Sequence, residues 1–166
     1  MVYIVNKILI RLGSLPCKQE KKYTMSSSIP RFHIAFPVHD LDKAREFYVN
    51  VLGCNTGRES DKWIDFNLYG HQIVAHLSPR DCSPVGTNIV DEDNIPCRHF
   101  GVILIWKKWE MLQERIKKFN HNFLVEPKIR FKSKPGEQGT FFINDPSGNA
   151  LEFKSFKNDS MVFKKF

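Results

Sequence analysis

A chain of 166 residues, 42% of them hydrophobic, suits one domain with a sizeable core, and it has no apolar run near the ~20 residues needed to cross a bilayer. The formal charge of +7 belongs to the ends: Lys7, Arg11, Lys18, Lys21 and Lys22 against Glu20 put +4 on residues 1–28, and Lys154, Lys157, Lys164 and Lys165 against Asp159 put +3 on residues 154–166. Residues 29–153 are neutral, which argues against nucleic acid or a membrane as partner, and four dispersed cysteines without a C-x-x-C pair fit free thiols in a reducing, cytoplasmic compartment.

Residues 2–12 are apolar with Lys7 and Arg11 interspersed, and no acid occurs before Glu20. That composition suits a mitochondrial presequence over residues 1–24; a disordered leader, or a true start at Met25, fits residues 1–28 as well. From residue 29 the pattern sharpens. Phe32-His33-Ile34-Ala35-Phe36 reads as a strand stopped by Pro37, and Asp40 offers an N-cap. Leu41, Ala44, Phe47, Tyr48, Val51 and Leu52 then recur at helical spacing up to Gly53. Strands are predicted over 56–59, 63–69 and 71–77, with Gly70 as a turn. Residues 78–97, with Pro79, Pro84, Gly86, Pro96 and the acidic Asp91-Glu92-Asp93, read as a long surface loop.

The same order then returns: a strand over 98–105, a helix over 107–120 carrying Trp109, Leu112, Ile116 and Phe119, and strands over 123–130, 140–144 and 150–156. Asp145-Pro146-Ser147-Gly148-Asn149 is turn chemistry leading into the last strand. The expected fold is therefore α+β. Two βαβββ modules, 31–77 and 98–156, build one domain over 29–157, and 158–166 form a basic tail.

Three histidines and a glutamate interrupt these strands. His33 and His99 stand mid-strand at equivalent places of the two modules, and His76 and Glu152 each lie in the last strand of a module. A lone strand histidine is more often a core or surface residue than a ligand. Four at matching positions of a repeat point instead to a divalent metal held by imidazoles and a carboxylate, with binding weakened at low pH.

The motifs Phe32-His33-Ile34-Ala35-Phe36-Pro37-Val38-x-Asp40-Leu41, Ala44-x-x-Phe47-Tyr48, Leu52-Gly53, His99-x-Gly101 and Asp145-Pro146-Ser147-Gly148-Asn149-x-x-Glu152 resemble the vicinal oxygen chelate superfamily, which includes glyoxalase I, bleomycin-resistance proteins and extradiol dioxygenases. Trp63-Ile64-Asp65-Phe66, Gly70-His71-Gln72-Ile73-Val74-Ala75-His76-Leu77 and Pro135-Gly136-Glu137-Gln138 are similar to a group of small extradiol-dioxygenase-like proteins. The resemblance covers about residues 30–156. It implies a cupped mixed sheet, with His33, His99 and Glu152 as metal ligands and His76 as a fourth ligand or an acid/base beside the metal. It implies Fe(II), ahead of Mn, Zn or Ni, and a small substrate chelated through neighbouring oxygens; it leaves a homodimer open.

An extradiol-type dioxygenase ranks first, a glyoxalase- or epimerase-type isomerase or lyase second, and a non-catalytic small-molecule binder third. The strand Thr140-Phe141-Phe142-Ile143 lacks the tyrosine of the ring-cleaving enzymes, and no glutathione-binding set is visible. Trp63, Phe66, Phe141 and Arg130 are candidates for the substrate pocket. Arg130, Lys132 and Lys134 flank Pro135-Gly136 in a basic turn suited to an acidic substrate, with a solvated charge run as the alternative.

Overall fold

The computed structural model describes residues 29–165; the expectations for a presequence, a disordered leader or a start at Met25 fall outside them. The described chain runs β1 (His33–Val38), α1 (Leu41–Arg45, continued by π-helical turns over Glu46–Val51), β2 (Asn55–Glu59), β3 (Trp63–Leu68), β4 (His71–Leu77), β5 (Thr87–Val90), β6 (Asp93–Pro96), β7 (His99–Leu104), α2 (Trp106–Lys118), β8 (Phe123–Arg130), β9 (Gln138–Asn144) and β10 (Ala150–Ser155). Among these residues no helix is long and apolar enough to cross a membrane.

The two modules form separate four-stranded mixed sheets, β1-β4-β3-β2 and β7-β10-β9-β8. In each, the first and last strands pair in parallel, His33 opposite Gln72 and His99 opposite Ala150. Strand alternation then divides the residues. Phe36 and Val38 of β1 and Leu151 and Phe153 of β10 turn inward, while His33 and Glu152 lie on the other face of their sheets. α1 begins where Asp40 Oδ1 accepts the amide protons of Asp42 and Lys43, and Gly53, at φ +78°, takes the left-handed turn that ends this segment.

One hydrophobic cluster runs through both modules, from Phe36, Tyr48 and Phe66 to Trp109, Phe141 and Phe153. Polar bonds tie the halves together. Tyr48 donates its hydroxyl to Asp145 at 3.1 Å, and Asn149 donates its side-chain amide to the Pro37 carbonyl at 2.8 Å. Arg115 of α2 caps the exposed Asn50 and Val51 carbonyls at the end of the first helix. Asp145 also accepts the Ser147 and Asn149 amides, so the turn expected there is built around a buried carboxylate. Burial drives that carboxyl above its ordinary range, against the bonds from Asn149, Ser147 and Tyr48.

The segment 78–97 corrects the sequence reading. It is not loop throughout, because β5 and β6 form a hairpin. Asp91 and Glu92 make its two-residue turn, at φ +47° and +68°, the signature of a type I′ geometry usually written with Asn or Gly. Acidic residues at those positions disguise the turn as a solvated charge cluster. Ile95 of β6 packs on Val125 and Phe142 in a second, smaller cluster.

Candidate metal centre

His99 and Glu152 meet on the second sheet. Glu152 is opposite Gly101, two residues along β7 from His99, so both side chains emerge on one face. His99 Nε2 lies 3.1 Å from Glu152 Oε2. The other ring nitrogen, Nδ1, is 2.7 Å from the Pro96 carbonyl; a carbonyl only accepts, so Nδ1 carries the hydrogen and Nε2 is the atom left for chemistry. Thr140 donates its hydroxyl to Glu152 Oε1 at 2.7 Å, and Lys154 Nζ stands 3.2 Å from Oε2. A ligand histidine tied to a backbone carbonyl, beside a carboxylate held by a hydroxyl, is the outer-shell pattern of metal sites.

The pair leaves no room for bulk between its strands. A Cβ on Gly101 would come 1.7 Å from the Glu152 carbonyl oxygen, so glycine is required beside the carboxylate. Electrostatics match the geometry. The hydrogen bond that the ring donates to Glu152 raises the His99 pKa above its usual 6.5, outweighing partial burial. Burial pushes the Glu152 carboxyl upward, but His99, Lys154 and Thr140 together bring it below its usual 4.5. Both shifts favour the charge-assisted pairing of the ring with Glu152 when no metal is bound. A divalent cation would take the Nε2 proton's place, since neutral imidazole and carboxylate are the donor set such ions prefer.

His33 lies on the non-core face of β1, is exposed, and forms no side-chain hydrogen bond among the described residues. No group of three or more His, Cys, Asp or Glu side chains arranged to hold an ion occurs among those residues, so the chain by itself brings together two of the four expected ligands. His76 is exposed, opposite Pro37 and Trp63. It is four residues beyond Gln72, the partner of His33, or roughly 13 Å along the strand pair. The expectation that His76 answers Glu152 by symmetry is corrected by the register: His33 pairs with Gln72 as His99 pairs with Ala150. The counterpart of Glu152 is therefore Val74, and that of His76 is Lys154.

Of the aromatic pocket candidates, Trp63 shares the face of His76, with Arg58 over its ring. Phe66 and Phe141 are packed in the core, 1% and 0% exposed. Arg130 is buried at the end of β8 against Asp93. Sequence reasoning missed Thr140, Lys154 and the Pro96 carbonyl. The first two could have been found from strand alternation with Glu152; a backbone carbonyl leaves no residue-type signal.

A sequence profile described as the Glyoxalase/Bleomycin resistance protein/Dioxygenase superfamily matches residues 32–153. Among solved structures, a glyoxalase/bleomycin resistance protein/dioxygenase from Alicyclobacillus acidocaldarius is similar at 36% identity and TM-score 0.68, covering 81% of this chain and 96% of that one. The fosfomycin resistance protein FosX of Listeria monocytogenes shares the fold at 18% identity and TM-score 0.59, covering 82% and 98%. So does lactoylglutathione lyase of Agrobacterium tumefaciens, at 18% identity and TM-score 0.54, covering 80% and 96%. No curated protein matches the chain. With the repeated module, its first-to-last strand pairing and the His99–Glu152 pair in view, the profile and the Alicyclobacillus structure place the chain: it belongs to the glyoxalase/bleomycin resistance protein/dioxygenase superfamily.

Proposed function

We propose that the protein is a metal-dependent enzyme whose ion is held by His99, Glu152 and His33, with an extradiol-type oxygenase activity on a small substrate bearing neighbouring oxygens. The observation that carries this reading is the 3.1 Å approach of His99 Nε2 to Glu152, with Nδ1 tied to Pro96. His33 is exposed without a side-chain partner, and a second copy of the chain that presents its His33 to this pair completes the three-point site. The register supports an oxygenase over a four-ligand isomerase: the fourth-strand counterpart of Glu152 is Val74, which cannot ligate. Two histidines and one carboxylate leave positions open, as in non-haem Fe(II) oxygenases.

A bound Fe(II) would act as Lewis acid toward the substrate's two oxygens and as the path for electrons to O2. The chain's own residues do the rest. Pro96 fixes the His99 tautomer, Thr140 orients Glu152, and the β5–β6 hairpin lays Ile95 against Phe142 and Val125, keeping water off that side of the sheet. Lys154 Nζ, next to Glu152, is placed to hold an ionised substrate oxygen.

The test is anaerobic reconstitution with Fe(II), Mn(II), Zn(II) and Ni(II), metal analysis after dialysis, and oxygen uptake across a catechol panel. Stoichiometric Fe(II) with oxygen consumption is expected. Tight Zn(II) or Ni(II) binding with isomerisation of a 2-oxoaldehyde thiol adduct and no oxygen uptake would move the protein to the isomerase branch.

A further inference from the structure

The face that carries Glu152 also carries a line of cations. Lys154, Thr140 and Lys128 occupy one row across β10, β9 and β8, and Arg130, opposite Gln138, is in the next row. Beyond it the β8–β9 turn adds Lys132 and Lys134, and an open depression of about 360 Å³ is lined by these lysines with Asp91, Lys128, Arg130 and Phe131.

The acids nearby leave the two turn lysines without an ion pair. Asp93 pairs with Lys128 and with one terminal nitrogen of Arg130, and Asp91 lies 4.0 Å from the other. Lys132 and Lys134 form no ion pair among the described residues. The Arg130 side chain is 5% exposed, yet its Nε is buried with no acceptor. Buried cationic donors are normally satisfied, so this guanidinium keeps unspent donor capacity beside the depression. The turn is braced by its own hydrogen bonds. The Ser133 amide donates to Glu137 at 2.6 Å and the Lys134 amide to the Phe131 carbonyl at 2.9 Å. Phe131 and Ser133 are held at φ +54° and +61°, a conformation retained only where its surroundings enforce it.

The geometry points to an oxyanion subsite formed by Arg130, Lys132 and Lys134, which takes the carboxylate or phosphoryl group of an acidic small molecule whose other end reaches His99 and Glu152. The subsite rests on the function proposed above for what happens at that other end. Arg130 pairs four residues from the Glu152 partner Phe142 and lies two strands away, roughly 16 Å between backbone positions. The acid group is therefore remote from the chelated oxygens, and the molecule is longer than a single ring.

The test uses metal-free protein at low ionic strength, titrated calorimetrically with inorganic phosphate and with benzoate. Saturable one-to-one binding is expected, phosphate alone marking a phosphoryl group and benzoate alone a carboxylate. Lys132→Ala/Lys134→Ala, a change of two exposed turn residues, should weaken binding ~10-fold or more. Lys107→Ala/Lys117→Ala, which removes equal charge from α2, should change it less than ~2-fold. Binding of neither anion, no loss in the turn variant, or equal loss in both variants overturns the subsite. Because no metal is present, anion binding by a chain that takes up no metal would defeat the proposed function and leave the subsite standing. Metal uptake without anion binding would do the reverse.

Discussion

The two modules share a backbone and differ in what they mount on it. At corresponding register positions the second sheet carries His99, Gly101, Glu152 and Phe142, and the first carries His33, Ala35, Val74 and Asp65. A carboxylate is present in both, but on different strands. In the second module it sits on β10 against a histidine. In the first it sits on β3, buried and held by Gln72 at 3.0 Å and Arg58 at 3.4 Å. Asp65 is thus paired with an amide and a guanidinium, neither a metal ligand, whereas Glu152 has a ring nitrogen beside it. The repeat preserves hydrogen-bond register and core alternation, which every module needs, and leaves the open face free to diverge.

The sharpest way to break this contrast is to remove each module's residue at the carboxylate position. Glu152→Ala should lose metal entirely on dialysis, while Val74→Ala, at the equivalent place, keeps it; equal retention by both would void the asymmetry. If His33 is supplied by a second copy, neither His33→Ala nor Glu152→Ala holds metal alone. Mixing the two with subunit exchange should then restore metal to about a quarter of the sites. No recovery on mixing means the three ligands belong to one chain. Thr140→Val, which unties Glu152 without deleting it, should weaken metal affinity by ~10–100-fold.

The glycine contrast comes next. Gly101→Ala must push apart β7 and β10, and a loss of about 1–3 kcal/mol or more is expected in denaturant unfolding. Its counterpart change in the first module, Ala35→Gly, should cost only about 0.5–1 kcal/mol.

A smaller effect concerns pH in the metal-free protein. The His99 pKa is raised, so its contribution to stability is full below 6.5 and fades as pH climbs through the raised value. The Glu152 pKa is lowered, so its contribution holds above 4.5 and fades as pH falls through the lowered value. Unfolding midpoints of wild type and His99→Asn should therefore differ most between those two limits and converge at high pH; a gap that widens with alkalinity would contradict the pairing. The smallest effect is at the cysteines. Burial pushes the Cys54 thiol up to about 12, so it should resist alkylation at pH 8 while exposed Cys97 reacts.

Much of this fold is legible in the sequence because its periodicities are strong. Leu41 to Leu52 and Trp109 to Phe119 announce helices, and the alternation from Ala150 to Phe156 announces β10. His99 and Glu152 are legible as polar breaks in apolar strands. The symmetry drawn between His76 and Glu152 fails for a physical reason: similarity of position along the chain does not fix register, and a shift of two residues keeps the face while moving the side chain past its counterpart. The β5–β6 hairpin is hidden because Asp91 and Glu92 fill a turn that sequence reasoning expects of glycine or asparagine. Phe66 and Phe141 are misplaced onto the pocket because apolar residues occur on both faces of β3 and β9, and only the structure shows which face meets the helices.

Each four-stranded sheet draws every one of its strands from its own module, and the first strand of each pairs with its own last. Such a unit can be copied whole in a gene, because the duplicate arrives with its backbone partners already assigned. Once two copies are fused, a ligand lost from one need not unfold it, since no ladder hydrogen bond depends on what the open face carries. Val74 where Glu152 has its carboxylate is the mark of that freedom: one copy carries no carboxylate at this place while its strand ladder stays intact.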